Sequence, residues 1–154
     1  MGRPIRVFAF DPGSAHIGYA MVDVFPSITK SIWIEHGKLE PKDINRESIL
    51  DLIAGERVDA FAIEKPVPRA ANALAQLIGT AWIGGLIEGI LRSKTDRIQT
   101  MTSYDWKRTL CGNHVANDAI VANALGHFSD VPKRTNPHSR DAAAIAIVVG
   151  WGML

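Results

Sequence analysis

The sequence predicts a mixed α/β fold with an antiparallel start, and three observations carry that prediction. Three β-patterned segments come first, close enough in the chain to form hairpins. A later run, Ala60–Ile63, is apolar without alternation, as in a strand buried on both faces of a parallel sheet. From about residue 70 onward, helical periodicity dominates.

In order, Ile5–Phe10 reads as a buried strand that ends in the turn Asp11-Pro12-Gly13-Ser14. Ile17–Val24 resumes β character. Ser31–Leu39 is a third strand, with Ile32 and Ile34 alternating against Trp33 and Glu35. A short helix carrying Ile49, Leu50 and Ile53 stops near Gly55. After Ala60–Ile63, Pro66-Val67-Pro68 breaks the chain before a long helix, about Ala70 to Leu91. Leu74, Leu77, Ile78, Ala81, Trp82, Leu86 and Ile90 recur there at helical spacing. Glycines 79, 84, 85 and 89 each cost roughly 1 kcal/mol of helix propensity, so close backbone packing is expected around them. Arg97–Met101 is a fifth strand, and Thr102 or Ser103 caps the helix Tyr104–Leu110. Asn117–Phe128 forms another helix. Asn136-Pro137 then supplies a cap and a first-turn proline that launch His138–Val149.

The chain of 154 residues reads as one domain, 1–154, with an ordinary globular share of apolar residues, 47%, and of charged ones, 21%. Its net charge of +1 neither demands nor excludes nucleic acid, so any basic surface is local. The single cysteine, Cys111, excludes an internal disulfide and suits a reducing compartment. The start lacks the apolar region of a signal peptide. The most apolar window, Leu77 to Ile87, falls short of the roughly 20 residues a bilayer requires. A cytoplasmic protein without a membrane segment is expected.

Three acids fall at element ends. Asp11 closes the first strand, Glu64 closes the fourth, and Asp141 lies near the start of the last helix, three residues after His138. Parallel pairing of the first and fourth strands would set Asp11 beside Glu64. His138 and Asp141 share one face of the last helix, in its first turn, where the macrodipole would lower a carboxylate's pKa. Carboxylates converging in a buried place need a cation. Three oxygens and one imidazole suit Mg²⁺ or Mn²⁺ rather than zinc. Two such cations roughly 4 Å apart suit phosphodiester hydrolysis with no protein nucleophile, which leaves Cys111 to packing. Each residue also has an ordinary alternative: a common turn for Asp-Pro-Gly, a solvated strand end for Glu64, helix-start roles for His138 and Asp141.

Three segments carry a family resemblance. Phe8-Ala-Phe-Asp-Pro-Gly-Ser-Ala-His-Ile-Gly-Tyr-Ala-Met-Val22, Ala62-Ile-Glu-Lys65 and His138-Ser-Arg-Asp-Ala-Ala-Ala-Ile-Ala146 resemble, in order, the RuvC family of Holliday junction resolvases. The resemblance implies a ribonuclease H-like fold with a five-stranded sheet whose second strand is antiparallel. It implies that Asp11, Glu64, His138 and Asp141 are catalytic and bind two Mg²⁺ ions, with histidine a family variant at its position. The implied activity is paired symmetric nicking of a four-way DNA junction, leaving 5′-phosphate and 3′-hydroxyl ends. A homodimer through the helix 70–91 is implied too, in the cytoplasm of a bacterial or phage-infected cell.

The resemblance also marks a DNA surface and its departures. Lys107 of Tyr104-Asp-Trp-Lys107 matches a lysine of the family's basic segment. Lys65 and Arg69 flank Pro-Val-Pro, where relatives carry an aromatic near Val67. His114 stands in for a second family lysine. Weaker or differently selective DNA binding than in a bacterial resolvase is expected, as in phage-type members. A broader fork and flap nuclease would use the same four ligands. A non-catalytic DNA-binding module would be expected to have lost one of them. The spacing Asp11-x-Gly13-x₄-Gly18 also resembles the first phosphate loop of actin-like ATPases, but those need a second loop in a second domain.

Overall fold

The structure is a computed structural model that describes residues 2–26, 30–68 and 74–154. Strand β1 (Ile5–Asp11) pairs antiparallel with β2 (Ile17–Val24), from Ile5↔Val24 to Asp11↔Gly18. On its other side β1 pairs in parallel with β4 (Ala60–Lys65), up to Phe10↔Ile63, and β5 (Ile98–Thr102) lies parallel to β4. Strand β3 (Ser31–Leu39) extends the sheet antiparallel to β2. A sixth strand, β6 (Ser129–Asp130), joins β3 in parallel, so the order is β5-β4-β1-β2-β3-β6 rather than five strands. Two residues are too few to carry a period. What holds them is non-local: the Trp33 indole donates to Ser129 Oγ at 3.0 Å.

The apolar run of β1 is continuous because both faces of the sheet are covered. Val7 and Ala9 face one core with Ala20, Val22 and Ala62, under α5 (Pro137–Gly152), α3 (Ser103–Cys111) and α4 (Asp118–Phe128). Phe8 and Phe10 face the other with Met21, Phe61 and Ile63, under α2 (Leu74–Arg92) and α1 (Arg46–Leu52). Along β3 a bulge between Met21 and Val22 shifts the register. It turns Ile32 and Ile34 outward, both about two-fifths exposed, while Trp33 packs toward the core.

Helix α5 is alanine-rich, and two glycines let it lie close on β2. A Cβ at Gly18 would fall 2.2 Å from the His138 carbonyl, and one at Gly150 would meet Val24 at 2.6 Å. Helix α2 buries Ile83, Ile87 and Leu91 and leaves Leu74, Ile78 and Trp82 exposed on its other side. Its expected start at Ala70 lies outside the described residues. Of its glycines, Gly84 is buried beside Pro12, whereas Gly85 and Gly89 face open space, so close packing accounts for only part of the set. At 19 residues the helix is long and apolar enough, by length and composition, to cross a bilayer, unlike the shorter window expected. Its inner face instead forms part of the domain core.

Candidate active site

Asp11 is the last residue of β1 and Glu64 the penultimate residue of β4, each one step past the register pair Phe10↔Ile63. Both therefore sit at the carboxyl rim of the two parallel strands, where Pro12 turns the chain away. The third contribution arrives on α5. Asn136 caps that helix: its side chain accepts from the Ser139 N–H at 2.9 Å, and the Asn136 N–H donates to Ser139 Oγ at 3.2 Å. With Pro137 at the first helical position and Gly18 beneath, the helix start is pressed onto the rim. His138 Nδ1 then faces Asp11 Oδ2 at 3.3 Å.

The electrostatics are those of crowded acids. Burial raises Asp11 above the ordinary carboxylate range, tempered by His138. Burial and then the charge of Asp11 push Glu64 up to about 8, against the hydrogen bond from Trp106. Burial and Asp11 likewise push Asp141 up to about 7. This corrects the expectation of a dipole-lowered Asp141. With α5 beginning at Pro137, Asp141 is its fifth residue and lies past the first turn, where the dipole's influence has faded. His138 is raised by its hydrogen bond to Asp11.

The same molecule treats its other buried acids differently. Asp23 receives a two-pronged pair from Arg6 at 2.7 and 2.8 Å. Burial acts to raise Asp59, yet Arg57 at 2.7 Å and the Arg6 backbone N–H hold it below the usual range. Among the described residues, no Lys or Arg nitrogen lies within 4.0 Å of Asp11, Glu64 or Asp141. Lys107 comes nearest in effect, its charge opposing the upward shift of all three. Among the described residues no group of three or more His, Cys, Asp or Glu is drawn close enough to hold a metal ion, and His138–Asp11 is the one direct contact found within the set. The donor types themselves, carboxylate oxygens with one imidazole, are those of a hard divalent cation.

Two neighbours were not legible as site residues. Trp106, fully buried on α3, donates its indole N–H to Glu64 Oε2 at 2.6 Å. A buried tryptophan must find an acceptor, which was the available signal, but the acceptor lies 42 residues away in sequence. His16 stacks obliquely 5.7 Å from His138, and its Nδ1 is buried without a hydrogen-bond partner among the described residues.

Of the residues expected to meet DNA, Lys65 is exposed at the end of β4. Arg69 lies outside the described residues. Lys107 lines an open cleft of about 750 Å³ between Pro68, Tyr104 and the start of α4 at Asn117 and Asp118. His114 is exposed in the loop between α3 and α4, with its ring edge-on to Tyr104 at 5.5 Å. Val67 is half-buried. Cys111 packs against the α5-side core, and burial raises its thiol.

No family model and no curated protein sequence matches the chain. Solved structures do. RuvC of Thermus thermophilus superposes with a TM-score of 0.73 at 21% identity, covering 97% of this chain and 96% of that one. The same organism's RuvC in complex with Holliday junction substrate gives 0.71 at 22% identity, covering 97% and 94%. The yeast mitochondrial Holliday junction resolvase Ydc2 gives 0.62 at 12% identity, covering 97% and 79%. At these identities the likeness establishes architecture: the chain has the ribonuclease H-like fold of RuvC and its structural neighbours among the Holliday junction resolvases.

Proposed function

We propose that the protein is a divalent-metal-dependent DNA endonuclease that resolves four-way junctions by paired symmetric nicks. One observation carries the reading. Three buried or part-buried carboxylates that feel one another's charge, with an imidazole 3.3 Å from one of them, lie about one strand rim without a Lys or Arg partner among the described residues. They do so on the fold whose Thermus member has been solved with Holliday junction substrate. Asp11, Glu64, His138 and Asp141 would hold two Mg²⁺ ions, or Mn²⁺ in their place. When bound, these cations supply an activated water and charge stabilisation for the leaving oxygen of the phosphodiester.

The chain's own residues do the rest. Asp11 and Glu64, fixed at adjacent strand ends, define the floor of the site, and α5 closes it with His138 and Asp141. Lys107, whose charge the same three carboxylates feel, would receive the scissile phosphate. Lys65, Arg69 and His114 would hold flanking phosphates. The exposed row Leu74, Ile78 and Trp82 on α2 supports a homodimer, whose two sites would cut two strands of like polarity. A single domain over 1–154 and a cytoplasmic setting complete the reading.

A broader activity on forks and flaps is the second reading. Val67 favours it, because this loop offers no aromatic ring to stack at a junction centre. The test is incubation with labelled synthetic junctions, forks and duplex, in Mg²⁺ or EDTA. Paired nicks on the junction alone support resolution, and equal cutting of forks supports the broader enzyme. If the protein binds branched DNA but never cuts it with metal, both readings fall, leaving a binding module.

A further inference from the structure

A carboxylate on the end of a glutamate has a broad, roughly two-fold terminal torsion and does not hold one orientation unaided. Glu64 is held. The Trp106 indole N–H donates to its Oε2 at 2.6 Å, a short contact for a nitrogen donor. The indole is fixed in turn. It is fully buried in the core shared by Ala62, Leu110 and Ala142. Its helix is pinned at the start by Thr102, whose side chain accepts from the Asp105 N–H, while Asp105 accepts from the Thr102 hydroxyl at 2.6 Å. Indole nitrogen is a donor only, so the bond has one possible direction.

We propose that Trp106 is a positioning residue for Glu64, holding one carboxylate oxygen so that the other is presented to the divalent cation. A purely apolar side chain would satisfy the core but could not orient the carboxylate, and it would need no acceptor at the strand rim. Outer partners of metal ligands typically contribute about 10- to 100-fold in affinity, which sets the expected effect. The inference rests on the reading of Glu64 as a metal ligand.

The test is calorimetric titration of Mn²⁺ into the wild-type protein and into Trp106→Phe, which keeps an aromatic ring and removes the donor. The expected result is binding weakened about 10- to 100-fold in the variant. Melting in EDTA would show that the variant remains folded. If Trp106→Phe does not fold, site-specific replacement of Trp106 by benzothienylalanine keeps the bicyclic shape and removes only the N–H. The same loss is expected there. In the wild type, the Trp106 indole proton resonance should move with the midpoint of the Mn²⁺-free counterpart titration, performed with diamagnetic Mg²⁺. Equal Mn²⁺ affinity in wild type and donor-less protein would overturn the positioning role and leave the metal site standing. No binding by the wild type would overturn the metal reading itself.

Discussion

Raising the pH of the metal-free protein should destabilise it, and divalent metal should remove that dependence. The unfolded chain releases the Glu64 and Asp141 protons at their ordinary values of 4.5 and 3.8, whereas the folded chain holds them to about 8 and about 7. A group whose folded pKa is raised stabilises fully below its unfolded value and loses that contribution as pH rises through the folded one. At about 1.4 kcal/mol per pH unit, Glu64 alone corresponds to roughly 5 kcal/mol and Asp141 to roughly 4 kcal/mol. Both draw on the charge of Asp11, so they do not add in full, and roughly 5 kcal/mol, the larger of the two, is the expected minimum. His138, also raised, has the same sign. Asp59 has the opposite sign, but its window lies below 3.8. For a chain of this size, about 2–4 °C per kcal/mol gives a fall in Tm of roughly 10 °C. The assay is thermal unfolding followed by circular dichroism, from about pH 5 to about pH 8.5, in EDTA and in Mg²⁺. A Tm in EDTA that stays flat or rises across that range would refute the reasoning.

Asp11→Asn should abolish cutting of junctions in Mg²⁺ while leaving junction binding in EDTA, measured by gel shift, because shape is kept and charge is lost. Lys107→Ala should weaken junction binding and flatten the plot of log affinity against log salt by about one phosphate contact. Trp82→Glu should convert a dimer into a monomer in analytical ultracentrifugation, since it places a charge in the exposed row on α2. Gly18→Ala should lower Tm and eliminate cutting together. Its methyl would sit 2.2 Å from the His138 carbonyl and force α5 off the strand.

Much of this arrangement was legible in the sequence because it is local. Apolar runs ending in Asp11 and Glu64 announced buried strands with acids at their ends, and the unbroken Ala60–Ile63 announced burial on both faces. Asn136-Pro137 announced the start of α5, and Thr102 the start of α3. What escaped is decided across the chain. The pairing of Ser129 and Asp130 with β3 depends on a register, not on a pattern. The outward turn of Ile32 and Ile34 depends on a bulge against β2. The raised Asp141 follows from its burial and then from the charge of Asp11, both decided by the fold and neither by helix position. The role of Trp106 depends on an acceptor 42 residues away, Glu64, that no local pattern announces.

The two glycine contacts under α5 have a mechanical consequence. From His138 to Gly150 the helix advances about 18 Å, at about 1.5 Å per residue. From Gly18 to Val24 the strand advances about 20 Å, at about 3.4 Å per residue. Helix and strand thus run side by side over nearly equal lengths and touch hardest at both ends, like a beam resting on two supports. Lifting one support tilts the whole beam. A methyl group added at Gly150, about 18 Å along the helix from His138, would therefore be felt at His138 and Asp141 as a displacement. Damage at the far end of α5 would look, in an activity assay, like damage to the site itself.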